Sequence, residues 1–270
     1  MIHWQRAADG ALWRLCASTL ELGEAARQQV ARKEPAHETA EACVLGDHEA
    51  WRKGGALKGK ASLRHGVRLR LFQGLPRLRE AANLEWLAAH LFEVPRPLAA
   101  VARIERGLPR GQWLWAARLA EAAPLEERWP LLPEQVRDAV LEELAREVAR
   151  MHALGFVHRD LFVRNLMHRV GSARQLVFLD CWRGGPGWGL RGPAWDAGCL
   201  LSDLVDWAGD RAAARWLEAY LAERSAQDRP VRGEGFVRQA LAARAAVIRR
   251  LIRQPERLRG RAMPTVDWRP

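Results

Sequence analysis

The chain has 270 residues, with 43 Lys and Arg against 32 Asp and Glu, and a net charge of +11. Its hydrophobic content of 49% excludes an intrinsically disordered protein, and no apolar run approaches the roughly 18 residues that a membrane span needs. The four cysteines form neither a disulfide framework nor a CxxC metal pair, and the N-terminus lacks the apolar run of a signal peptide. These properties predict a basic, globular, cytoplasmic protein.

The first part of the chain carries short runs typical of strands. Candidate strands cover residues 11–18, 40–45, 49–52 and 56–61. The glycine pair at positions 54 and 55 is interpreted as a tight turn that leads into the last of these strands.

A helix and a hairpin are predicted next. Pro76 fits the first turn of a helix that runs to about residue 91 and is ended by the prolines at 95 and 97. Residues 103–119 place Gly and Pro between two apolar stretches, which indicates a β-hairpin.

The second part of the chain is predicted to be mostly helical. An amphipathic helix over 133–154 is indicated by apolar residues at every third or fourth position, and Gly155 caps it. A short strand at 176–179 precedes a helical region from 196 to 253. Strands with one helix, followed by helices, define an α+β, bilobal plan, with a β-rich N-lobe over 1–118 and a C-lobe over 119–270.

The clearest chemical signal directly follows the helix over 133–154. His158, Arg159 and Asp160 are followed five positions later by Asn165, and Asp180 ends the next apolar strand. This HRD-x4-N spacing is the catalytic-loop signature of eukaryotic-like kinases. Phosphoryl transfer needs a carboxylate beside the acceptor hydroxyl and oxygen ligands for Mg²⁺. Asp160 is the candidate for the first role, with His158 and Arg159 as its catalytic-site neighbours, and Asn165 and Asp180 are the candidate metal ligands.

The same chemistry requires a lysine on the ATP phosphates and a helix glutamate that pairs with it. Lys58, on the strand predicted at 56–61, is the favoured lysine, and Lys60, on the same strand face, is the reserve. Glu80 shares a helix face with three leucines, so it is predicted to point inward, whereas Glu85 is rotated by about 140°. A solvated first-turn carboxylate is the alternative interpretation of Glu80. No Gly-x-Gly-x-x-Gly precedes Lys58, and the turn around Gly46 is the candidate phosphate-covering loop.

With these motifs, the sequence resembles the lipopolysaccharide core kinases, the Kdo/heptose kinase family of the protein-kinase-like fold. LDxxR at Asp180, in place of DFG, and the arginine-rich stretch after the lysine fit this family. The resemblance covers roughly residues 40–210 and rests on the segments ALKGKASLRHGVRLRLF, LREAANLEWLAAHLFEVPRPLA, MHALGFVHRDLFVRN, VFLDCWRGG and WDAGCLLSDL.

The resemblance implies an ATP- and Mg²⁺-dependent kinase that phosphorylates a hydroxyl of an inner-core Kdo or heptose at the cytoplasmic face of the inner membrane. Its substrate would be an anionic glycolipid or sugar, and contact with the membrane surface is left open. By the same resemblance, Asp196 would brace the catalytic loop, with a plain helix N-cap as the alternative. No nucleic-acid motif and no protein partner are identified.

Two alternatives remain at this point: a kinase of another small molecule or of protein Ser/Thr, and a nucleotide-binding pseudokinase or scaffold. Residues 181–195 contain no Ser, Thr or Tyr, which predicts activity without phosphorylation of that segment. Arg183 and Arg191 are candidates for contact with an anionic acceptor, or else solvated side chains. The helix predicted over 236–252 is expected to pack on its own lobe, with an anionic lipid surface as the alternative.

Overall fold

The chain divides into two compact units, Met1–Ala120 and Glu121–Pro270. The structure is a computed structural model, and it describes residues 2–6, 11–32, 39–72, 74–171, 174–187, 192–227, 233–258, 262–266, 268 and 270. Arg191 lies outside the described residues. None of the helices described in these ranges is long and apolar enough to cross a membrane.

The first unit is built on a six-stranded antiparallel sheet in the order β1-β2-β5-β6-β4-β3. Its elements in chain order are β1 (Ile2–Arg6), β2 (Leu12–Ala17), α1 (Leu20–Arg32), β3 (Thr39–Leu45), β4 (His48–Ala56), α2 (Gly59–Phe72), α3 (Pro76–Ala89), β5 (Pro97–Glu105) and β6 (Leu108–Ala117). Helix α1 packs on β5 and β2, and α3 packs on β5 and β6.

Tryptophans fill the core of the first unit. Trp13, Trp113 and Trp115 are almost fully buried and cluster with aliphatic side chains of the sheet and with Ala26 and Val30 of α1. Removing such large rings from water supplies much of the free energy that holds sheet and helix together. The two-residue turn between β3 and β4 begins with Gly46 at φ 58°, a conformation that glycine adopts without strain.

The structure corrects the strand predicted at 56–61. Strand β4 continues through both glycines to Ala56, and a helix, α2, occupies most of the segment after it. A Cβ at Gly54 would lie 2.1 Å from the Gln112 carbonyl oxygen, so this glycine permits close approach of β4 and β6 and does not form a turn. The first unit also holds α1 and α2, where the sequence predicted a single main helix.

The second unit is mostly helical, which confirms the α+β class. Its elements are β7 (Ala122–Pro124), α4 (Leu125–Arg128), a 3₁₀ turn (Trp129–Leu131), α5 (Glu134–Ala153), β8 (Phe156–Val157), a 3₁₀ turn (Val163–Asn165), β9 (Leu166–Arg169), β10 (Leu176–Phe178), a 3₁₀ turn (Cys181–Arg183), β11 (Gly185–Pro186), α6 (Pro193–Ala208), α7 (Asp210–Ser225), α8 (Gly233–Arg253) and a 3₁₀ turn (Pro255–Leu258).

Helix α6 lies at the centre of the second unit and packs against both α7 and α8, while α5 packs against α7. A Cβ at Gly198 of α6 would lie 2.6 Å from the Arg244 backbone nitrogen, so glycine allows α6 and α8 to approach closely. Phe236, Val247 and Ile248 of α8 are buried. The prediction that this helix packs on its own lobe is therefore confirmed.

Candidate active site

The loop that carries Asp160 is fixed at both ends by the helices of the second unit. Helix α5 ends at Ala153, Gly155 follows with a φ of 82°, and β8 leads directly into His158. Arg159 adopts a left-handed φ of 63°, which turns the chain sharply before Asp160. Val157 and Leu161 are fully buried on either side of this turn, so the loop is held down while the side chains of Arg159 and Asp160 stay half-buried.

Asp196, at the start of α6, holds this loop by its backbone. Its two carboxylate oxygens accept hydrogen bonds from the backbone nitrogens of His158 and Arg159, both at 2.6 Å. The carboxylate is fully buried and also lies 3.2 Å from His152 Nε2. The Tyr220 hydroxyl lies 2.8 Å from the other nitrogen of that ring, and burial raises the pKa of Tyr220, so the phenol stays protonated. The His152 ring thus links the Tyr220 hydroxyl to the Asp196 carboxylate.

Asp196→Asn is expected to destabilise the protein by about 3 kcal/mol. In the wild type both carboxylate oxygens accept backbone N–H groups, whereas in the variant the amide NH₂ would face one of these donors. Urea unfolding monitored by tryptophan fluorescence measures this free energy. Asp210→Asn, an exposed acid in the first turn of α7, is the matched control and should unfold like the wild type. Equal midpoints for the two variants would show that Asp196 does not brace the loop.

Hydrogen bonds also bring Asn165 next to the end of β10. His158 Nε2 lies 2.8 Å from the Leu179 carbonyl oxygen, and the Leu179 nitrogen donates to the Asn165 carbonyl at 2.9 Å. Asp180 follows in a left-handed conformation, with φ 56° and ψ 36°. The catalytic-loop residues and the strand aspartate predicted from the sequence are thus joined in one network within the second unit.

The Asn165 side chain has a defined orientation. Its amide nitrogen donates to the Asp160 backbone carbonyl at 2.7 Å, so the carbonyl end of the amide is the end that can face a cation. An amide oxygen and the Asp180 carboxylate are hard oxygen donors, which fit Mg²⁺ with waters and phosphates completing the shell. In the described ranges no three His, Cys, Asp or Glu side chains form a metal cage.

The first unit contains a buried ion-pair cluster centred on Glu80. Lys53 Nζ lies 2.9 Å from Glu80 Oε1, and Arg77 Nη1 lies 2.5 Å from Oε2. The Glu80 side chain is only 3% exposed, so both carboxylate oxygens are neutralised away from water. The Arg77 backbone nitrogen also donates to Gln112 Oε1 of β6 at 3.0 Å, which ties α3 to the sheet.

This cluster pairs Glu80 with a lysine other than the predicted Lys58. Lys58 lies exposed between β4 and α2, and Lys60 is exposed in the first turn of α2, because the segment expected as a strand is helical. The lysine on the strand is Lys53, and it pairs with Glu80, which points inward as predicted. Glu85 is exposed on α3. The signal that could have found Lys53 is its position directly after the strand predicted at 49–52, which extends through both glycines to Ala56.

Gly46 lies in the exposed turn between β3 and β4, and its role in covering phosphates stays a prediction.

Solved structures with a similar fold are kinases. One is described as "WaaP in complex with acyl carrier protein" (TM-score 0.55, 16% identity, covering 89% of this chain and 98% of that one). Another is an aminoglycoside-3'-phosphotransferase of type VIII (TM-score 0.52, 19% identity, 82% and 98% covered). A third is a glucosamine kinase in complex with glucosamine, ADP and inorganic phosphate (TM-score 0.50, 15% identity, 95% and 88% covered). These likenesses confirm the protein-kinase-like fold.

The lipopolysaccharide kinase (Kdo/WaaP) family model matches residues 22–191. The chain belongs to this family and is an ATP-dependent kinase. No curated protein sequence matches the chain. Helices α7 and α8 lie beyond the matched residues.

Proposed function

We propose that this kinase transfers the γ-phosphoryl group of ATP to a sugar hydroxyl, Kdo or heptose, of the lipopolysaccharide inner core. The observation that carries the proposal is the loop clamped by Asp196, which presents Asp160 and Asn165 together in a chain of this family. Because the acceptor would be a glycolipid, we place the reaction at the cytoplasmic face of the inner membrane.

Asp160 is the proposed catalytic base. Its side chain is 15% exposed, and Arg164 Nη2 lies 3.8 Å from Oδ1, so the carboxylate stays accessible while its position is constrained. An acceptor hydroxyl that hydrogen-bonds to this carboxylate is oriented for attack and passes its proton to Asp160. His158 and Arg159 support this step, since their backbone nitrogens fix the turn before Asp160.

Asn165 and Asp180 are the proposed holders of Mg²⁺, through the amide oxygen and the carboxylate. The ion would supply neutralisation of the phosphate charge. In the first unit, Lys53 takes the role expected of Lys58 and contacts the ATP phosphates, with Glu80 keeping its ammonium group in place. Arg77 holds the second oxygen of Glu80, so the carboxylate cannot turn away from Lys53.

The buried Cys199 thiol is excluded from this chemistry. Burial raises its pKa well above the usual value, and the negative charges of Asp196 and Asp160 raise it further. The group is therefore a neutral thiol and a poor nucleophile at physiological pH.

The test is transfer of labelled phosphate from ATP to purified acceptors in the presence of Mg²⁺. Inner-core oligosaccharides that end in Kdo or in heptose are expected to become labelled, while glucosamine, an aminoglycoside and casein stay unlabelled. The Asp160→Asn variant, assayed in parallel, controls for contaminating kinases. Labelling of glucosamine, the aminoglycoside or casein without labelling of either core sugar would refute the proposed acceptor.

A further inference from the structure

A small pocket in the second unit opens beside Asp160 and has a volume of about 100 Å³. Four arginines line it: Arg159, Arg164, Arg183 and Arg250. Among the described residues that line it, Asp160 is the one carboxylate, so the lining carries four positive side chains and one negative one. A pocket with this excess of positive charge attracts an anion.

The charges of two of these arginines are not balanced within the described part of the chain. There, no carboxylate lies within 4 Å of the Arg159 or Arg183 guanidinium, and the buried Nε atoms of both lack a hydrogen-bond partner. Arg183 instead lies over the Trp182 ring, 4.8 Å from its centroid. A buried guanidinium Nε without an acceptor loses hydration without compensation, and a bound anion would restore a hydrogen bond to it.

The pocket is built on rigid supports. The backbone of Arg159 is fixed by Asp196, and the Arg164 guanidinium lies over the Phe162 ring, 3.9 Å from its centroid. The floor is an apolar cluster in which Phe162 and Val247 are buried, with Leu251 packed against them. Guanidinium groups held in place in this way bind carboxylate or phosphate oxygens with less loss of conformational entropy.

Neither a whole nucleotide nor a phosphate carried by residues 181–195 accounts for the anion in this pocket. Its volume is below the roughly 300–1,000 Å³ of pockets that take whole drug-sized ligands, so it admits a single charged group. Residues 181–195 contain no Ser, Thr or Tyr, so phosphorylation of that segment cannot supply the anion. The anion must come from another molecule, and Asp160 at the rim places that molecule at the site of phosphoryl transfer.

We infer that these four arginines bind an anionic group of the acceptor, a carboxylate or a phosphate monoester, next to the hydroxyl that Asp160 deprotonates. This inference rests on the proposed function. It adds that the kinase selects its acceptor by an anionic group. It also assigns a binding role to Arg250 of α8, outside residues 22–191 that match the family.

The test measures binding of matched charged and neutral probes by calorimetry, with ADP and Mg²⁺ present so that no transfer occurs. The methyl glycoside of Kdo is compared with its methyl ester, and a heptose phosphate with the unsubstituted heptose. We expect at least one charged probe to bind about 10- to 100-fold more tightly than its neutral match, as for charge-assisted hydrogen bonds. The pair that shows the difference identifies carboxylate or phosphate as the selected group.

Arg183→Gln and Arg250→Gln are expected to weaken binding of the charged probe about 10-fold and to leave binding of the neutral probe and of ADP unchanged. Arg249→Gln, an exposed neighbour on α8, is the matched control and should bind like the wild type. Arg183→Lys and Arg250→Lys should retain part of the preference that the glutamine variants lose, which a purely structural defect would not do.

Two outcomes would overturn the inference: equal binding of charged and neutral probes by the wild type, or variants that lose ADP binding while keeping the charge preference. Inorganic phosphate separates this inference from the proposed function. If core sugars are not phosphorylated but inorganic phosphate binds in a manner that depends on Arg183 and Arg250, the anion pocket stands and the proposed acceptor is wrong.

Discussion

Asp160→Asn is expected to lower kcat by about 10²- to 10⁴-fold, the usual contribution of a general base, and to leave the Kd for ATP nearly unchanged. The structure explains why this effect should be confined to chemistry. The backbone carbonyl of Asp160, not its side chain, receives the Asn165 amide, and Asp196 holds the preceding turn by backbone nitrogens. An asparagine at position 160 therefore keeps the loop and the metal-facing amide in place.

Single-turnover phosphoryl transfer measures the chemical step, and titration with a fluorescent ATP analogue measures binding. The Asp210→Asn variant, with the same change at an exposed position, should retain wild-type kcat. A kcat for Asp160→Asn within a few-fold of the wild type would rule out Asp160 as the base.

Lys53→Met is expected to reduce kcat/KM by about 10²- to 10³-fold, comparable to the loss of one preorganised charge on the transition state. Glu80 remains paired with Arg77 in this variant, so no bare buried carboxylate results. The lost Lys53–Glu80 pair is partly exposed on the lysine side, and we expect its removal to cost only about 1 kcal/mol of folding stability. A large kinetic effect with a small stability effect is the signature of a residue that acts on the nucleotide.

Lys58→Met is the matched control, because it makes the same change five residues later on an exposed side chain. Its kcat/KM should equal that of the wild type, and thermal unfolding should show both variants folded at the assay temperature. If Lys58→Met loses activity and Lys53→Met does not, the assignment of Lys53 is wrong and the original choice from the sequence is restored.

The parts of the molecule that the sequence predicted well are those with a local signal. Helix α5 shows its apolar face at every third or fourth residue, and Gly155 ends it, so its bounds were recovered within one or two residues. The run from His158 to Asn165 is likewise a local pattern, since one tight loop must supply both the base and a metal ligand.

The parts that were missed depend on contacts between distant residues. A glycine at position 54 is compatible both with a turn and with the close approach of a neighbouring strand. Only the position of Gln112 on β6 decides between the two. Because of that ambiguity, the predicted strand ended before Lys53, and Lys58 was predicted as the phosphate-binding lysine. The role of Arg77 was not predicted for the same reason. Its contacts with Glu80 and Gln112 form only when α3 packs on the sheet.

Helix α3 is connected to the strands of the first unit in a way that limits how this kinase can be controlled. Its Glu80 carboxylate holds the strand residue Lys53, and the Arg77 backbone nitrogen is bonded to Gln112 of β6. An activator or inhibitor that worked by swinging α3 outward would have to break both links at once. Compounds that act on kinases by displacing this helix would therefore have to compensate for the loss of both contacts.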